Sequence, residues 1–215
     1  MSDTKPTPYE RAKRIIDHPT GRSYGDGQRI IEILLAGRGL NVLSLDELRV
    51  AFKGYNWWGK HDLSFEAARR ALVLDPTNLE LHYELEVAIR NCSVSADRND
   101  SDASHDVLSM YDRMIEDGIG APAFWHVRKA IHFYDLATQD PECEDYLDWE
   151  EGDPIYRPEA LEDACRELGL AIQSDPRLRD EKDCWMRYGV CRELGWDRYF
   201  LALQGLPEYQ KLMQR

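Results

Sequence analysis

Residues 45–78 read LDELRVAFKGYNWWGKHDLSFEAARRALVLDPTN, and the fold prediction depends on this stretch. Ser44 lies three residues before Glu47, which is the spacing of a capping box, so a helix is predicted to begin at Leu45. The helical periodicity continues up to the break at Gly59. The first half of the stretch therefore predicts a single amphipathic helix.

The second half of the stretch predicts another helix, which begins at Asp62 and ends before Asp75-Pro76. Proline disfavours the helical conformation at the residue that precedes it. Apolar residues recur along one broad face of this helix: Leu63, Ala67, Ala68, Ala71, Leu72 and Leu74. The two helices and their turns make a unit of 34 residues. Because such a pair leaves one apolar face uncovered, we expect it to stack on neighbouring pairs.

The length of this unit and several of its residue types resemble the tetratricopeptide repeat (TPR) family. The matching residues are Tyr55, Gly59, Ala71, Leu72, Leu74, Asp75, Pro76 and Asn78. Three residues depart from the family pattern: Leu48 replaces a tryptophan, Phe52 a small residue and Ser64 an alanine. The resemblance implies an all-α fold, a TPR-like stack of antiparallel helix pairs that forms an α-α superhelix.

A second match to the same pattern lies nearer the carboxyl end. The spacing of the second helix recurs at Ala164, Leu168, Ala171, Asp175 and Pro176, and the opening of a further first helix at Trp185, Tyr188 and Gly189. Further helices are predicted over about 79–91, 106–117, 122–137, 158–174, 180–194 and 196–204, with a closing helix from Pro207. When these helices are paired in order, two insertions remain between the first and second helix of a pair, at about 93–104 and 139–157.

The predicted domain organisation has two parts. Residues 1–43 are expected to form a tail and two helices, over about 8–17 and 26–36, that pack on the stack. Residues 44–215 are expected to form the TPR-like repeat domain. The alternative is a pair of unrelated helical domains divided at residues 93–104.

Composition limits the classes of partner. The 215 residues carry a net charge of −13 at pH 7, which argues against direct binding to nucleic-acid phosphates or anionic membranes. No apolar run approaches the roughly 20 residues that a membrane span requires. The 5 cysteines include no C-x-x-C pair, so reduced thiols in a cytoplasmic protein are expected.

Sequence signatures of catalysis and of metal binding do not occur. The chain lacks H-E-x-x-H, G-x-S-x-G, the P-loop and the dinucleotide fingerprint, so no enzyme activity, metal or cofactor is predicted. Residues 140–153 contain eight acidic residues and no Lys or Arg: Asp140, Glu142, Glu144, Asp145, Asp148, Glu150, Glu151 and Asp153. This segment has three interpretations: a solvated or packed loop, a contact with a partner, and a cation site.

The resemblance implies that the first helices of the pairs line a concave face, which holds a peptide or protein. Arg49, Lys53 and Asn56 follow i, i+4 and i+7 spacing, so one side of a helix presents them together. Comparable positions in later pairs are Tyr83, Arg90, His126 and Arg187. This basic set predicts a non-catalytic scaffold that binds a carboxylate or an acidic peptide; ordinary solvated charges are the alternative.

The net charge and the acidic segment suggest a second function. An acidic inhibitor or mimic protein could occupy a basic surface of its partner. That function would depend on residues 139–157, whereas peptide binding would depend on the first helices. The two hypotheses therefore assign the partner to different parts of the chain.

Overall fold

The computed structural model describes residues 5–18, 23–94, 100–138, 159–179 and 201–214. These residues form α-helices and short 3-10 helices, and no strand occurs among them. The predicted all-α class is therefore confirmed for the described part of the chain. No helix in these ranges has the length and apolar character that a bilayer span requires. The chain divides into two compact units, Met1–Ala103 and Ser104–Arg215.

Five helices make up the first unit: α1 (Pro8–Ile16), α2 (Tyr24–Leu35), α3 (Leu45–Trp57), α4 (His61–Leu74) and α5 (Leu79–Val94), with a 3-10 turn at Leu40–Val42. Every helix predicted from this part of the sequence is present, and the ends differ by only a few residues. Helix α3 packs against α1, α2 and α4, while α4 also packs against α5. The unit therefore has α3 near its centre.

Three helices of the first unit begin with a capping box. The cap hydroxyl accepts from the backbone N–H three residues on, and the carboxylate at that position accepts from the cap N–H. The pairs are Thr7–Glu10 at α1, Ser23–Asp26 at α2 and Ser44–Glu47 at α3. The capping box predicted at α3 is confirmed.

The interior of the first unit contains all three residues that depart from the repeat pattern, Leu48, Phe52 and Ser64. Phe52 is buried, and its carbonyl oxygen accepts a hydrogen bond from the buried Ser64 hydroxyl at 3.2 Å. This bond satisfies the polar group that Ser64 brings into the core. Three small residues of α4 are also buried: Ala67, Ala68 and Ala71.

Gly27 on α2 lies directly against the backbone of α3. A Cβ atom at this position would lie 2.5 Å from the backbone nitrogen of Trp58 and 2.6 Å from the carbonyl oxygen of Gly54. Backbone atoms cannot move aside as a flexible side chain can, so only glycine permits this approach. Through this contact the second predicted helix is fixed against α3.

The second unit contains α7 (Pro122–Thr138), α8 (Ala160–Ser174), α9 (Pro207–Met213), most of α6 (Asp100–Glu116), and 3-10 turns at Pro176–Arg179 and Leu201–Gly205. Helix α7 packs along α8, and α9 also contacts α8. The core between them includes Val127, Ala130, Ile131, Ala164, Leu168, Ala171 and Ile172.

Two predictions for this part of the chain differ from the structure. Helix α6 begins at Asp100, so part of the predicted insertion at 93–104 is helical. That stretch contains no Gly or Pro to oppose a helix. Residues Leu201–Gly205 form a 3-10 helix where the end of an α-helix was predicted. The insertion at 139–157 and the helix at 180–194 lie outside the described residues.

The chain divides into its compact units after Ala103, and the start of a repeat domain at residue 44 stays a prediction. Helices α1 and α2 pack on α3, which places the amino-terminal helices and the first predicted pair in one unit. The division lies at the end of residues 93–104, the segment considered as an alternative boundary.

Candidate functional site

Helices α3 and α5 lie side by side and contact each other at two levels. Arg49 on α3 forms an ion pair with Glu84 on α5, with 3.0 Å between Nη2 and Oε1. Two turns further along, Nδ2 of Asn91 donates to Oδ1 of Asn56 at 2.7 Å. In both contacts the partners are 35 residues apart in sequence. A constant offset at two levels means that α3 and α5 run parallel.

Two carboxylates hold the guanidinium of Arg49. Besides Glu84, Oε1 of Glu80 lies 2.6 Å from Nη2 of Arg49. The side chain of Glu84 is 10% exposed and that of Glu80 is 66% exposed. The hydrogen bond to Glu84 raises the pKa of Arg49, against the effect of its partial burial. A ligand carboxylate that displaces the more exposed partner, Glu80, would reach Arg49 while Glu84 remains in place.

Lys53 and the asparagine pair supply further polar groups on this side of α3 and α5. Lys53 is half-buried and has no ion pair in the described part of the chain. Their mutual bond uses Nδ2 of Asn91 and Oδ1 of Asn56. The other two amide atoms, Nδ2 of Asn56 and Oδ1 of Asn91, make no hydrogen bond to a described residue. One cation, one amide donor and one amide acceptor therefore remain available to a ligand.

Helix α5 contributes the other two residues predicted for this surface. Tyr83 is half-buried, and Arg90 is exposed with its guanidinium paired to Glu86 one turn earlier. Val87 lies between them on the helix and is an exposed apolar residue. We call the surface formed by Arg49, Lys53, Asn56, Glu80, Tyr83, Val87, Arg90 and Asn91 the α3–α5 face. Glu80 and Glu84 balance Arg49, and Glu86 balances Arg90, whereas Lys53 has no such partner among the described residues.

The remaining predicted residues lie elsewhere in the chain. Arg187 falls outside the described residues. His126 lies on α7 in the second unit, where its Nδ1 is 2.7 Å from Oε2 of Glu167 on α8. His126 therefore contacts the helix paired with its own, and its other ring nitrogen has no hydrogen bond to a described residue.

Glu167 is the buried centre of an ionic cluster that was not predicted from the sequence. Nζ of Lys129 lies 2.9 Å from Oε1 of Glu167 and 2.6 Å from Oδ1 of Asp112. We call Asp112, His126, Lys129 and Glu167 the Glu167 cluster. It joins α6, α7 and α8, and the side chain of Glu167 is only 4% exposed. The one available signal was the i, i+3 spacing of His126 and Lys129 on one helix face.

Burial opposes ionisation in the Glu167 cluster, and hydrogen bonds outweigh it. Burial alone would raise the pKa of Glu167, but bonds from His126 and Lys129 bring it below its usual value. Burial would lower the pKa of Lys129, but bonds to Asp112 and Glu167 raise it. Glu167 and Lys129 are therefore both charged at neutral pH, and the cluster links three helices.

The two cysteines of the described residues are unsuited to nucleophilic chemistry. Burial, with a smaller effect of Asp62, raises the pKa of the Cys92 thiol to about 11. Burial likewise raises the pKa of Cys165. Both groups remain protonated thiols at neutral pH, and the thiolate is the reactive form. No group of three or more metal-ligating side chains is assembled in the described ranges.

The α3–α5 face therefore has the better geometry for holding a ligand, since its free polar groups lie at the surface. The groups of the Glu167 cluster mainly satisfy one another in the interior. Comparison with known proteins adds no relative: no family model, no curated protein and no solved structure matches this chain.

Proposed function

We propose that this protein is a non-catalytic scaffold that binds a peptide or protein segment on the α3–α5 face. The observation that supports this most strongly is the constant 35-residue offset between contacting residues of α3 and α5. Side-by-side first helices with such an offset are what stacked, TPR-like helix pairs require. The contact of α1 with α3 agrees with the same row of alternate helices.

The asparagine pair is suited to a peptide backbone. Asn56 offers an amide donor and Asn91 an amide acceptor, and these complement the C=O and N–H groups of an extended peptide. Recognition of backbone groups does not depend on the ligand's side chains. We therefore expect the pair to position a peptide without selecting its sequence.

Charge selection on this face would come from Lys53. Its ammonium group lies on α3 one turn before Asn56, and its partial burial strengthens attraction to a ligand carboxylate. Arg49 would contribute when a ligand displaces Glu80, the more exposed of its two partners. The proposed ligand is an extended segment with an acidic residue close to the backbone bound by the asparagines.

Selection of peptides on the full-length chain tests this proposal. Peptides of twelve residues are selected from a random displayed library, and their affinities are compared between the natural chain and Lys53→Glu. Reversal of the charge should weaken binding by about tenfold or more, as expected when attraction becomes repulsion. Lys211→Glu makes the same charge change at an exposed residue of α9 and should leave the affinity unaltered. Equal binding by Lys53→Glu and the natural chain contradicts the assignment.

The acidic-mimic hypothesis is favoured by the distribution of charge. Most of the excess of Asp and Glu over Lys and Arg lies after residue 103, including the eight acidic residues of 140–153. Replacement of residues 139–157 by a short Gly-Ser linker separates the two functions. A mimic loses its partner through this change, whereas the α3–α5 face keeps its selected peptides.

A further inference from the structure

Helices α1 and α2 carry a second set of exposed charges, which uses none of the residues of the α3–α5 face. Lys5, Arg11, Arg14 and Arg29 are exposed there, and we call these four residues the basic surface. None of them forms an ion pair in the described part of the chain. Three of these unpaired cations lie between residues 5 and 14, and the fourth lies on α2, in a chain of net charge −13.

The acidic residues at the starts of α1 and α2 are occupied by the helix caps. Oε2 of Glu10 accepts from the backbone N–H of Thr7 at 2.7 Å, and Oδ2 of Asp26 accepts from that of Ser23 at 3.1 Å. Both carboxylates also accept from the cap hydroxyl groups. These bonds, and only more weakly the nearby arginines, lower the pKa of Glu10 and of Asp26. The caps thus leave the arginines without direct carboxylate partners.

The cations of α1 separate onto two flanks. Successive helical residues are about 100° apart, so Arg11 and Arg14 lie on one flank when the buried Ala12 faces the core. Lys13 lies on the other flank, where its ammonium pairs with Asp17 at 2.5 Å. The unpaired charges of α1 are therefore concentrated on a single side of the helix.

We infer that the basic surface binds a short acidic segment of a partner protein. A guanidinium presents parallel N–H groups that fit both oxygens of a carboxylate, and Arg11 and Arg14 are one helical turn apart. Two ligand carboxylates can therefore be held along one flank of α1, one by each arginine. This site is independent of the proposed α3–α5 face, because it uses other helices and other residues.

Charge and burial favour an acidic protein segment over other anionic ligands. A long nucleic acid would also meet the repulsion of the remaining chain, whose charge is strongly negative. Helix α1 has no exposed large apolar residue to enter a bilayer, since Tyr9, Ile15 and Ile16 are half-buried. On α2 only Tyr24 is exposed, and a single side chain buries too little apolar area to hold a helix on a bilayer. A short acidic segment can contact the basic surface without extending towards the negative charges of the rest of the chain.

Fluorescence anisotropy with a labelled peptide of four Glu-Ala repeats tests the inference. The full-length chain should bind this probe, and added salt should weaken the binding because the pairs are exposed. Arg11→Gln combined with Arg14→Gln should reduce the affinity about tenfold. The control combines Lys13→Gln with Arg70→Gln, which removes the same charge from two cations already paired in the protein. This control should retain the affinity of the natural chain.

Either of two results would overturn the inference. One is equal binding of the peptide by the arginine variant and by the natural chain, with circular dichroism confirming that both are folded. The other is tighter binding of a twelve-nucleotide single strand of thymidine than of the peptide, with the same loss in the arginine variant. That second result would assign the basic surface to nucleic acid.

Discussion

The side-chain amide of Asn91 on α5 donates a hydrogen bond to the amide oxygen of Asn56 on α3, over 2.7 Å. The Arg49–Glu84 pair repeats the same 35-residue offset two turns earlier. Together these contacts fix the register of two parallel helices, so the stability of the packing and the geometry of the α3–α5 face depend on the same side chains.

Removal of Glu84 should destabilise the first unit. Glu84→Ala leaves the partly buried guanidinium of Arg49 with only its exposed partner, and we expect a loss of about 1–3 kcal/mol in the free energy of unfolding. Glu80→Ala removes the exposed partner and should cost less than about 0.5 kcal/mol. Urea denaturation of both variants measures the difference. Equal losses would mean that Glu84 does not fix the α3–α5 register.

Substitution of Gly27 should disrupt the contact between α2 and α3. The new Cβ of Gly27→Ala would meet backbone atoms of Trp58 and Gly54, and we expect destabilisation of about 3 kcal/mol. Gly25→Ala is the matched control, since its nearest neighbour would be the Ser23 hydroxyl at 3.9 Å. That control should be neutral or stabilising by about 0.5 kcal/mol. Thermal unfolding midpoints distinguish the two, and a stable Gly27→Ala protein contradicts the close approach.

The Glu167 cluster should make stability depend on pH. The pKa of Glu167 is lower in the folded chain than in the unfolded chain, so its stabilising effect is complete above the unfolded value of about 4.3 and is lost as pH falls through the folded value. Glu167→Gln should therefore reduce the loss of stability on acidification. At neutral pH the same variant should be less stable by about 3 kcal/mol, because Lys129 loses a buried partner.

The control for this pH dependence lies on the same helix. Glu162 is exposed on α8, so Glu162→Gln should follow the stability profile of the natural chain. Denaturant unfolding from pH 7 down to pH 3 gives the three profiles. Parallel profiles for Glu167→Gln and the natural chain would refute the role given to the buried ion pair.

Local features of the sequence predicted the helices well. The Ser44–Glu47 capping box, the break at Gly59 and the Asp75-Pro76 stop correctly delimited α3 and α4. These signals depend on residues within one or two turns of each helix end, and so they can be recognised in the sequence. The predicted start of α6 was wrong, because residues 93–104 contain neither a helix stop nor a clear apolar face from which its position could be recognised.

Long-range pairings could not be predicted in the same way. Periodicity placed Arg49 on a helix face but could not indicate that Glu84 would neutralise it, since that depends on the packing and register of α5. Glu167 was one acidic residue among many, and its burial follows only from the packing of α7 on α8. The basic face expected from the sequence is therefore a mixed-charge face in the structure.

The most direct test of the α3–α5 face is nuclear magnetic resonance of its side-chain amides. The chain contains asparagine only at positions 41, 56, 78, 91 and 99, so selective ¹⁵N-asparagine labelling gives a simple spectrum. On titration with a selected peptide, the side-chain resonances of Asn56 and Asn91 should shift together while that of Asn41 remains in place. Saturated binding of the peptide with unchanged resonances of Asn56 and Asn91 would contradict the account.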